Sequence, residues 1–506
     1  MRYKKTYILL FILISCVFSL KAQKVEISGN SPEYAGQVLK FHSADNYINN
    51  WEVTLGECTV APNGDFRVEL NVTTTRLVYL YLGIFKARFI VEPGHSYIVS
   101  LPPRTDKEPA EEESPFFEEV TVYLYIESTK DKNGNIIPKE EELNMRIILF
   151  DEAYNPLYDQ MAMDGMRKKV IKVDSTIQAF TTKHMHTENS YYKDYVKYRS
   201  GMLYYATQQI GVKYISKTFF SDQPLLYDNE AYMDLFNITY NNYFMYFGRT
   251  EEGKVIYDVV NTGKDFSGLK QLLQKDGTVP GDSLCELVIL KNIYDEFYSD
   301  RFSRPALLTI LESLIDQTRI EEHKKIGNQL RSKITRLLRG FAPPDFSLYN
   351  QDSTLVSLDT YKGKYIYLMF CTTQNYACFN QYELLKELYK THGKWLQIVV
   401  ISADDHFENM RNFRQKNDYQ WDFLYIGNQP DILKEYDVRI YPTYYLIGPD
   451  GKLVMSPAPD ASQNIEWVFY LELNNKGLWN EYIQKGWIED KKRTDSRFEL
   501  NLDRPN

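Results

Sequence analysis

The stretch that decides the fold reads LDTYKGKYIYLMFCTTQNYAC and spans residues 358–378. Its apolar run at 365–370 is typical of a central strand, because a strand that is buried on both faces loses the alternation of polar and apolar residues. The residues from 378 to 388 then follow a helical spacing. A buried strand that leads directly into a helix predicts an α/β fold with parallel strands.

The same α/β pattern continues downstream. Further strands are predicted at 396–401, 423–426, 444–447 and 453–455, and further helices at 406–415 and 464–473. The last two strands form a hairpin, because the Pro449-Asp450-Gly451 sequence between them favours a turn. We therefore expect an α/β domain over residues 341–482, with an open sheet that is antiparallel at one end, and a polar tail over 483–506.

Four motifs in this block resemble those of TlpA/ResA-type thioredoxin-like proteins. They follow the order of that family: APPDFSL at 342–348, LDTYKGK at 358–364, IYPT at 440–443 and PDGK at 449–452. The first motif is similar to the family's A-P-x-F-x-L opening, with one extra residue after the first proline. The resemblance covers about a quarter of the chain and implies a thioredoxin fold with a cis-proline at Pro442. The wider layout resembles multidomain thioredoxin-like proteins of the Bacteroidetes envelope.

The catalytic motif departs from the family. The pattern F-W-A-x-W-C-x-x-C aligns with FCTTQNYAC at 370–378, so Asn375 replaces the first cysteine, which is the nucleophile, and Gln374 replaces the tryptophan before it. Only the second cysteine remains, as Cys378. A carboxamide cannot form the thiolate that disulfide exchange requires, and the second cysteine normally only resolves a mixed disulfide. The sequence therefore predicts a degenerate active site.

Cys371 leaves an alternative open. It ends the first core strand, and Cys378 begins the following helix, so the two sulfurs could meet across the intervening turn. Such a pair could be a structural disulfide or an unconventional C-x6-C redox pair, since an oxidising compartment permits a disulfide. Alternatively, both residues are buried thiols without exchange activity. The sequence favours a structural or inert use of the two cysteines over a redox use.

Pro442 also has two interpretations. It is either a turn that persists without chemistry, which we favour, or part of a surviving peptide-binding groove. In the second case, Asn375, Tyr376, Tyr441 and Pro442 should line the groove.

Other polar residues are weaker candidates. Asp404 and Asp405 follow a central strand, where α/β folds place ligand groups, but capping of the helix before Phe407 explains them more simply. His184 and His186 lie two residues apart on a predicted helix and therefore face different directions. The sequence predicts no metal site and no cofactor.

Two blocks of different periodicity precede the α/β domain. Residues 24–103 contain alternating strands separated by turn sequences, which predicts an antiparallel β-sandwich. Residues 104–140 are predicted to be an acidic linker with a possible strand at 116–126. Residues 141–340 carry apolar residues at spacings of three and four, which predicts a helical domain.

The N-terminus is predicted to direct export. Residues 1–22 contain a basic start, an apolar run at 7–20 that is too short to be a typical membrane span, and a small residue for cleavage at Ala22. In a second interpretation, the sequence LISC resembles a lipobox, and Cys16 would carry a lipid anchor; no other membrane attachment is predicted. Either way, we expect the protein in the periplasm or cell envelope.

Composition excludes several classes of protein. A hydrophobic fraction of 43% and a charged fraction of 25% are typical of globular chains and exclude general disorder. Five cysteines among 506 residues are too few for a disulfide scaffold. The net charge of −9, which becomes −13 once the four basic residues of the signal peptide are lost, argues against a nucleic-acid partner.

Three hypotheses about function follow. The leading one is a non-catalytic protein that binds an envelope protein or peptide, or supports an assembly. The second is a thiol-disulfide oxidoreductase that uses Cys378, with or without Cys371. In the third, the C-terminal domain is purely structural.

Overall fold

The computed structural model describes residues 22–108, 117–168, 173–427, 429–463, 465–475 and 477. Three parts of the chain lie outside the described residues: residues 1–21 of the predicted signal peptide, including Cys16, most of the acidic stretch of the linker, and the tail at 483–506. The chain divides into two compact units. The first consists of Met1–Glu108 and Glu118–Leu330, and the second of Pro109–Phe117 and Arg331–Asn506.

The first unit begins with a β-sandwich. Its nine strands are β1 (Gln23–Asn30), β2 (Val38–Asn46), β3 (Trp51–Thr59), β4 (Asp65–Val72), β5 (Arg76–Leu82), β6 (Phe85–Val91), β7 (Ser96–Ser100), β8 (Val120–Tyr123) and β9 (Tyr125–Lys130). They form a four-stranded sheet of order β4-β1-β7-β9 and a five-stranded sheet of order β3-β2-β5-β6-β8. The sequence prediction of a strand-rich N-terminal region is confirmed.

Alternation of apolar and polar residues builds the sandwich core. Strand β4 shows it most clearly, since Phe66, Val68 and Leu70 are buried while the residues between them are exposed. Most strand pairs are antiparallel, as predicted, but β1 pairs with β7 and β6 pairs with β8 in parallel. The parallel pairs arise where the chain leaves one sheet and returns to it later. The sandwich also extends past residue 103. Strand β8 is an outer strand of the five-stranded sheet, and β9 is an outer strand of the four-stranded sheet.

The helical region follows and confirms the predicted change of periodicity. Its helices are α1 (Leu143–Met166), α2 (Val173–His184), α3 (Ser190–Ala206), α4 (Val212–Phe219), α5 (Glu230–Thr239), α6 (Tyr243–Phe247), α7 (Ile256–Asp258), α8 (Phe266–Lys275), α9 (Asp282–Glu296), α10 (Arg304–Gln317) and α11 (Glu321–Thr335), with a π-helical segment at Val259–Gly263. Among the described residues, no helix is long and apolar enough to cross a bilayer.

Sandwich and helices pack closely within the first unit. The side chain of Asn144, on α1, accepts a hydrogen bond from the backbone amide of Ile90 at 2.5 Å and donates one to the Ile90 carbonyl at 2.9 Å. Arg88, on β6, forms a buried ion pair with Glu230, the first residue of α5. These contacts place the sandwich and the helices in one compact unit, so a domain boundary between them stays a prediction.

The second unit contains the predicted α/β domain. Seven strands form one sheet of order β11-β10-β14-β13-β12-β15-β16: β10 (Ser347–Asn350), β11 (Leu355–Ser357), β12 (Tyr365–Cys371), β13 (Leu396–Ser402), β14 (Asp422–Tyr425), β15 (Thr443–Ile447) and β16 (Leu453–Ala458). The helices are α12 (Tyr376–His392), α13 (Phe407–Asn417), α14 (Asp431–Glu435) and α15 (Ile465–Asn475). Strands β12, β13 and β14 are parallel, and β15 and β16 run antiparallel, as predicted.

Strand β12 lies at the centre of this domain. All seven of its residues are buried, which explains why the sequence shows a continuous apolar run there. Alternate residues face two separate cores: Tyr367 and Met369 belong to the core that contains α12 and α15, and Leu368 and Phe370 to the core that contains α14. Cys371 continues the first set and therefore faces α12.

Candidate functional site at the carboxyl end of strand β12

Three segments meet where β12 ends. In the parallel pair, Cys371 lies opposite Ser402 of β13, and in the antiparallel pair, Phe370 lies opposite Thr443 of β15. The turn at 372–375, the residues after β13 and the IYPT motif before β15 therefore share one edge of the sheet. The peptide between Tyr441 and Pro442 is cis, as the resemblance implies.

Asn375 is the N-cap residue of α12. Its side-chain oxygen accepts hydrogen bonds from the backbone amides of Ala377 at 2.9 Å and Cys378 at 3.2 Å. The amides at a helix N-terminus would otherwise be free to stabilise a thiolate. In this chain, the residue at the expected nucleophile position uses them to cap the helix.

Cys371 and Cys378 form a disulfide across the turn, with their Cα atoms 6.1 Å apart. Both side chains are fully buried. They lie in the core that contains Tyr382 of α12, Met410 of α13 and Tyr444 of β15. The structure therefore contains this pair as a disulfide, and neither of its two sulfur atoms lies at the surface.

Asp404 has a different role from the one the sequence predicts. It is buried, and its carboxylate accepts hydrogen bonds from the Thr373 amide at 2.8 Å, the Thr373 hydroxyl at 2.9 Å and the Ser402 hydroxyl at 2.6 Å. Helix α13 instead begins after His406, whose side chain makes no capping hydrogen bond. The capping interpretation was wrong because the carboxylate points back across the sheet edge to the turn after β12. Asp405 is exposed.

An uncharged, partly apolar surface lies beside the turn. We define the Tyr376 surface as Tyr376, Phe379, Ile440, Tyr441 and Pro442. Tyr376 is 78% exposed, Ile440 is 74% exposed and Phe379 is 46% exposed, whereas Tyr441 and Pro442 are half-buried. Sequence analysis named Asn375, Tyr376, Tyr441 and Pro442 as the lining of a groove but did not name Phe379 or Ile440. Phe379 lies one turn after Tyr376, which is the signal that could have identified it.

The two segments that form this surface carry no charged side chain. No residue from 371 to 382 is charged, and the motif at 440–443 is also uncharged. The described residues contain no group of three or more His, Cys, Asp or Glu side chains arranged to hold a metal ion. The arrangement can therefore offer apolar area and hydrogen-bonding groups to a ligand.

Comparisons with known proteins agree with this geometry. The AhpC/TSA family model matches residues 340–456. The chain is 29% identical over 124 residues to the thiol-disulfide oxidoreductase ResA of Bacillus cereus, covering 24% of this chain and 71% of that protein. With ResA of Bacillus subtilis it shares 26% identity over 154 residues, which cover 30% of this chain and 82% of ResA.

Solved structures show the same kind of match. A thioredoxin domain of a thiol-disulfide oxidoreductase from Bacteroides vulgatus is 21% identical, with a TM-score of 0.25, and the match covers 27% of this chain and 98% of that domain.

Fold and sequence together define the C-terminal block as a thioredoxin-like domain. Over residues 340–456 this domain is similar to thioredoxin-like proteins of the TlpA/ResA type. The sandwich and helices precede the matched family region.

Proposed function

We propose that this protein is exported and that its thioredoxin-like domain binds a polypeptide partner without catalysing disulfide exchange. The observation that carries the proposal is Asn375, which stands at the nucleophile position and caps α12 with its side chain. The domain keeps the binding edge of the fold but lacks the group that starts the exchange reaction.

Burial of the disulfide supports the same conclusion. An attacking thiolate must approach a sulfur atom directly, but Cys371 and Cys378 are both fully buried. A thiol released in this apolar core would also resist ionisation, since burial raises the pKa of a thiol. Repeated turnover would therefore require the turn at 372–375 to open in each cycle.

The Tyr376 surface supports binding to an uncharged, apolar stretch of an extended polypeptide. Exposed aromatic side chains provide contact area with little loss of conformational entropy. Since no charged residue lies between 371 and 382, we expect the affinity to depend weakly on salt concentration.

A second candidate function is thiol-disulfide exchange. The bond between Cys371 and Cys378 favours it, because a reducible disulfide stands at the edge of the sheet where the TlpA/ResA family carries out exchange. The curated relatives that the domain resembles are called thiol-disulfide oxidoreductases. In this alternative, Cys378 or Cys371 would form the mixed disulfide with the substrate.

Export is part of the proposal. Removal of residues 1–22 by a signal peptidase would release a chain that begins at Gln23, the first residue of β1. The alternative is a lipid on Cys16. Intact-mass measurement of the protein purified from cells that carry the natural N-terminus distinguishes the two, because the lipidated chain keeps residues 16–22 and gains acyl mass.

Binding is tested with the full-length mature chain and a fluorescein-labelled polypeptide. The polypeptide is reduced and S-carbamidomethylated, so that it stays unfolded. Fluorescence anisotropy should show saturable binding that changes little between low and high salt. Tyr376→Ser should weaken binding about tenfold, as loss of a central aromatic contact does. Tyr349→Ser is the matched control, because Tyr349 is a 55% exposed tyrosine on β10 of the same domain. No binding by the wild type, or equal losses in both variants, would contradict the proposal.

A further inference from the structure

Strand β9 leaves one edge of the N-terminal sandwich open. It is an outer strand of the four-stranded sheet, and its inner edge pairs with β7. On its outer edge, Lys130 forms an isolated antiparallel bridge with Ile136, and the Ile137 amide donates a hydrogen bond to the Thr129 carbonyl at 2.9 Å. The chain itself therefore pairs with one end of this edge, so the edge can accept extended backbone.

Pro138 ends this short pairing. A proline has no amide hydrogen and cannot continue a ladder of hydrogen bonds, and the chain then leads into α1. Among the described residues, no strand pairs with the outer edge of the earlier part of β9, from Tyr125 to Ser128. Backbone groups on that edge are therefore available to a further strand.

A cavity of about 320 Å³ lies beside the unpaired part of β9. One wall is β9 itself, and the other is formed by residues 136–139 and the first two turns of α1. Its apolar lining includes Leu124, Ile126 and Ile148. A groove that follows a strand edge and contains a pocket for a side chain is the usual form of a site for an added strand.

Thr129 contributes an unused polar group to this lining. The residue is 2% exposed, and its hydroxyl has no hydrogen-bond partner among the described residues. Burial of a hydroxyl without a partner is unfavourable, and buried polar groups of native proteins are rarely left so. The hydroxyl therefore indicates a ligand that supplies the missing partner.

Lys139 places a positive charge at the same cavity. Its ammonium group lies 5.2 Å from the centroid of the Tyr125 ring, and within the described part of the chain it has no carboxylate partner. The two carboxylates of the lining already accept hydrogen bonds, since Glu142 caps α1 and Glu127 accepts from the Ser100 hydroxyl. Lys139 therefore favours an acidic residue in a ligand.

From these observations, we propose that β9 is a second polypeptide-binding site, at which an extended stretch of a partner protein adds a fifth strand to the four-stranded sheet. A hydroxyl-bearing side chain of the added strand enters the cavity and pairs with Thr129, and an acidic residue beside it contacts Lys139. The site lies in the first unit and does not depend on the Tyr376 surface.

Strand addition is tested by fluorescence anisotropy with the full-length mature chain. The probe is a fluorescein-labelled, eight-residue peptide of alternating valine and threonine that carries one glutamate, and it should bind saturably. A control peptide with the same side chains but N-methylated at every second amide should bind at least tenfold more weakly, because main-chain hydrogen bonds supply the affinity of an added strand. No saturable binding of the first peptide, or equal binding of both, would overturn the proposal.

Thr129→Val separates a binding role from a structural one, since it keeps the shape of the side chain and removes the hydroxyl. The hydroxyl has no partner in the free chain, so the thermal unfolding midpoint should stay the same or rise. The affinity for the peptide should instead fall about tenfold. Thr121→Val, at an exposed threonine on the outer strand β8 of the other sheet, is the matched control. Wild-type affinity in Thr129→Val, or equal losses in both variants, would overturn the role of the cavity.

Lys139→Gln should weaken binding of the peptide about threefold, as loss of an exposed ion pair does. A peptide with glutamine in place of the glutamate should bind the wild type and Lys139→Gln equally. Lys132→Gln, at an exposed lysine in the turn after β9, should leave both affinities unchanged. Equal effects of Lys139→Gln on the two peptides would contradict the contact with an acidic residue.

Two further measurements distinguish the partner strand from other occupants. Sedimentation velocity should show a monomer without the peptide, and a dimer that the peptide dissociates would overturn the proposal in favour of a second copy of this chain. Tyr376→Ser should bind the peptide as the wild type does, and a loss would place the peptide on the Tyr376 surface and overturn the β9 site. Failure of the binding function proposed above would leave these results unchanged.

Discussion

The backbone amide of Cys378 donates a hydrogen bond to the side chain of Asn375 at 3.2 Å. In the family that the domain resembles, these two positions hold the cysteine pair. In this chain, the contact caps α12, so we expect substitutions of Asn375 to change the stability of the domain as well as its chemistry.

Asn375→Cys should give the domain more disulfide-exchange activity than the wild type has. The new thiol would stand at the N-terminus of α12, where the helix dipole and free amides lower the pKa of a thiol. The measurement is turbidity of insulin as dithiothreitol reduces it. Gln374→Cys is the matched control, since it adds an exposed thiol one residue before the cap. Equal turnover by both variants would contradict the positional argument.

Asn375→Ala should destabilise the thioredoxin-like domain by about 0.5–2 kcal/mol, the usual cost of losing a side-chain N-cap. The amides of Ala377 and Cys378 would lose their acceptor. Urea unfolding followed by circular dichroism measures the change, and Asn375→Asp, which keeps an acceptor oxygen, should retain most of the stability. A loss as large in Asn375→Asp as in Asn375→Ala would argue against capping.

The first unit should lose stability in acid through Glu286 and His323, which contact each other at 2.9 Å. Burial would raise the pKa of Glu286, but hydrogen bonds from Thr318, His323 and Lys270 outweigh it and hold that pKa below its ordinary value of 4.5. Burial lowers the pKa of His323 from its ordinary value of 6.5, against the opposing effect of Glu286.

The direction of the pH dependence follows from these shifts. With both folded-state pKa values lowered, the unfolded chain binds more protons in acid. Each stabilisation is complete above the ordinary pKa and is lost as the pH falls through the folded-state value. Urea midpoints of the wild type should therefore decline below about pH 6.5 and again below about pH 4.5. His323→Asn should reduce the first decline, part of which remains because burial also lowers the pKa of His184. A flat wild-type profile from pH 7 to 4 would contradict the account.

Glu230→Gln should destabilise the first unit by about 3–5 kcal/mol, because it leaves a buried arginine without its counter-ion. Arg88 pairs with Glu230 between the sandwich and the helices, and Arg199 lies 3.8 Å from the same carboxylate. The double variant Arg88→Met/Glu230→Met should recover part of the loss. Glu69→Gln, which breaks the exposed pair with Lys24, should change the free energy of unfolding little. A similar loss of stability in Glu230→Gln and Glu69→Gln would be evidence against the buried-pair argument.

Local sequence patterns predicted the fold well where the residues of a single element are enough to indicate its type and burial. The apolar run that became β12 is of this kind, whereas the cis-proline at Pro442 was implied by the family resemblance. The extent of the sandwich was harder to predict, since β8 and β9 follow an acidic stretch and become strands by pairing with β6 and β7. Long-range pairing of that kind leaves little trace in local composition.

The candidate site was predictable only in part. The absence of a cysteine at position 375 is visible in the sequence, and so is the departure from the family's C-x-x-C pattern. Spacing alone could not decide whether Cys371 and Cys378 are bonded, since the path of the turn between them sets the distance. Asp404 was assigned to the wrong partner because a helix begins nearby, whereas its hydrogen bonds run across the sheet edge to Thr373.

The central claim is that the domain binds without exchanging disulfides, and insulin reduction tests it most directly. Initial rates are measured with dithiothreitol for the wild type, for Cys378→Ser and for a blank without protein. We expect both proteins to match the blank. Turnover by the wild type that Cys378→Ser abolishes would contradict the claim and identify the protein as a thiol-disulfide oxidoreductase.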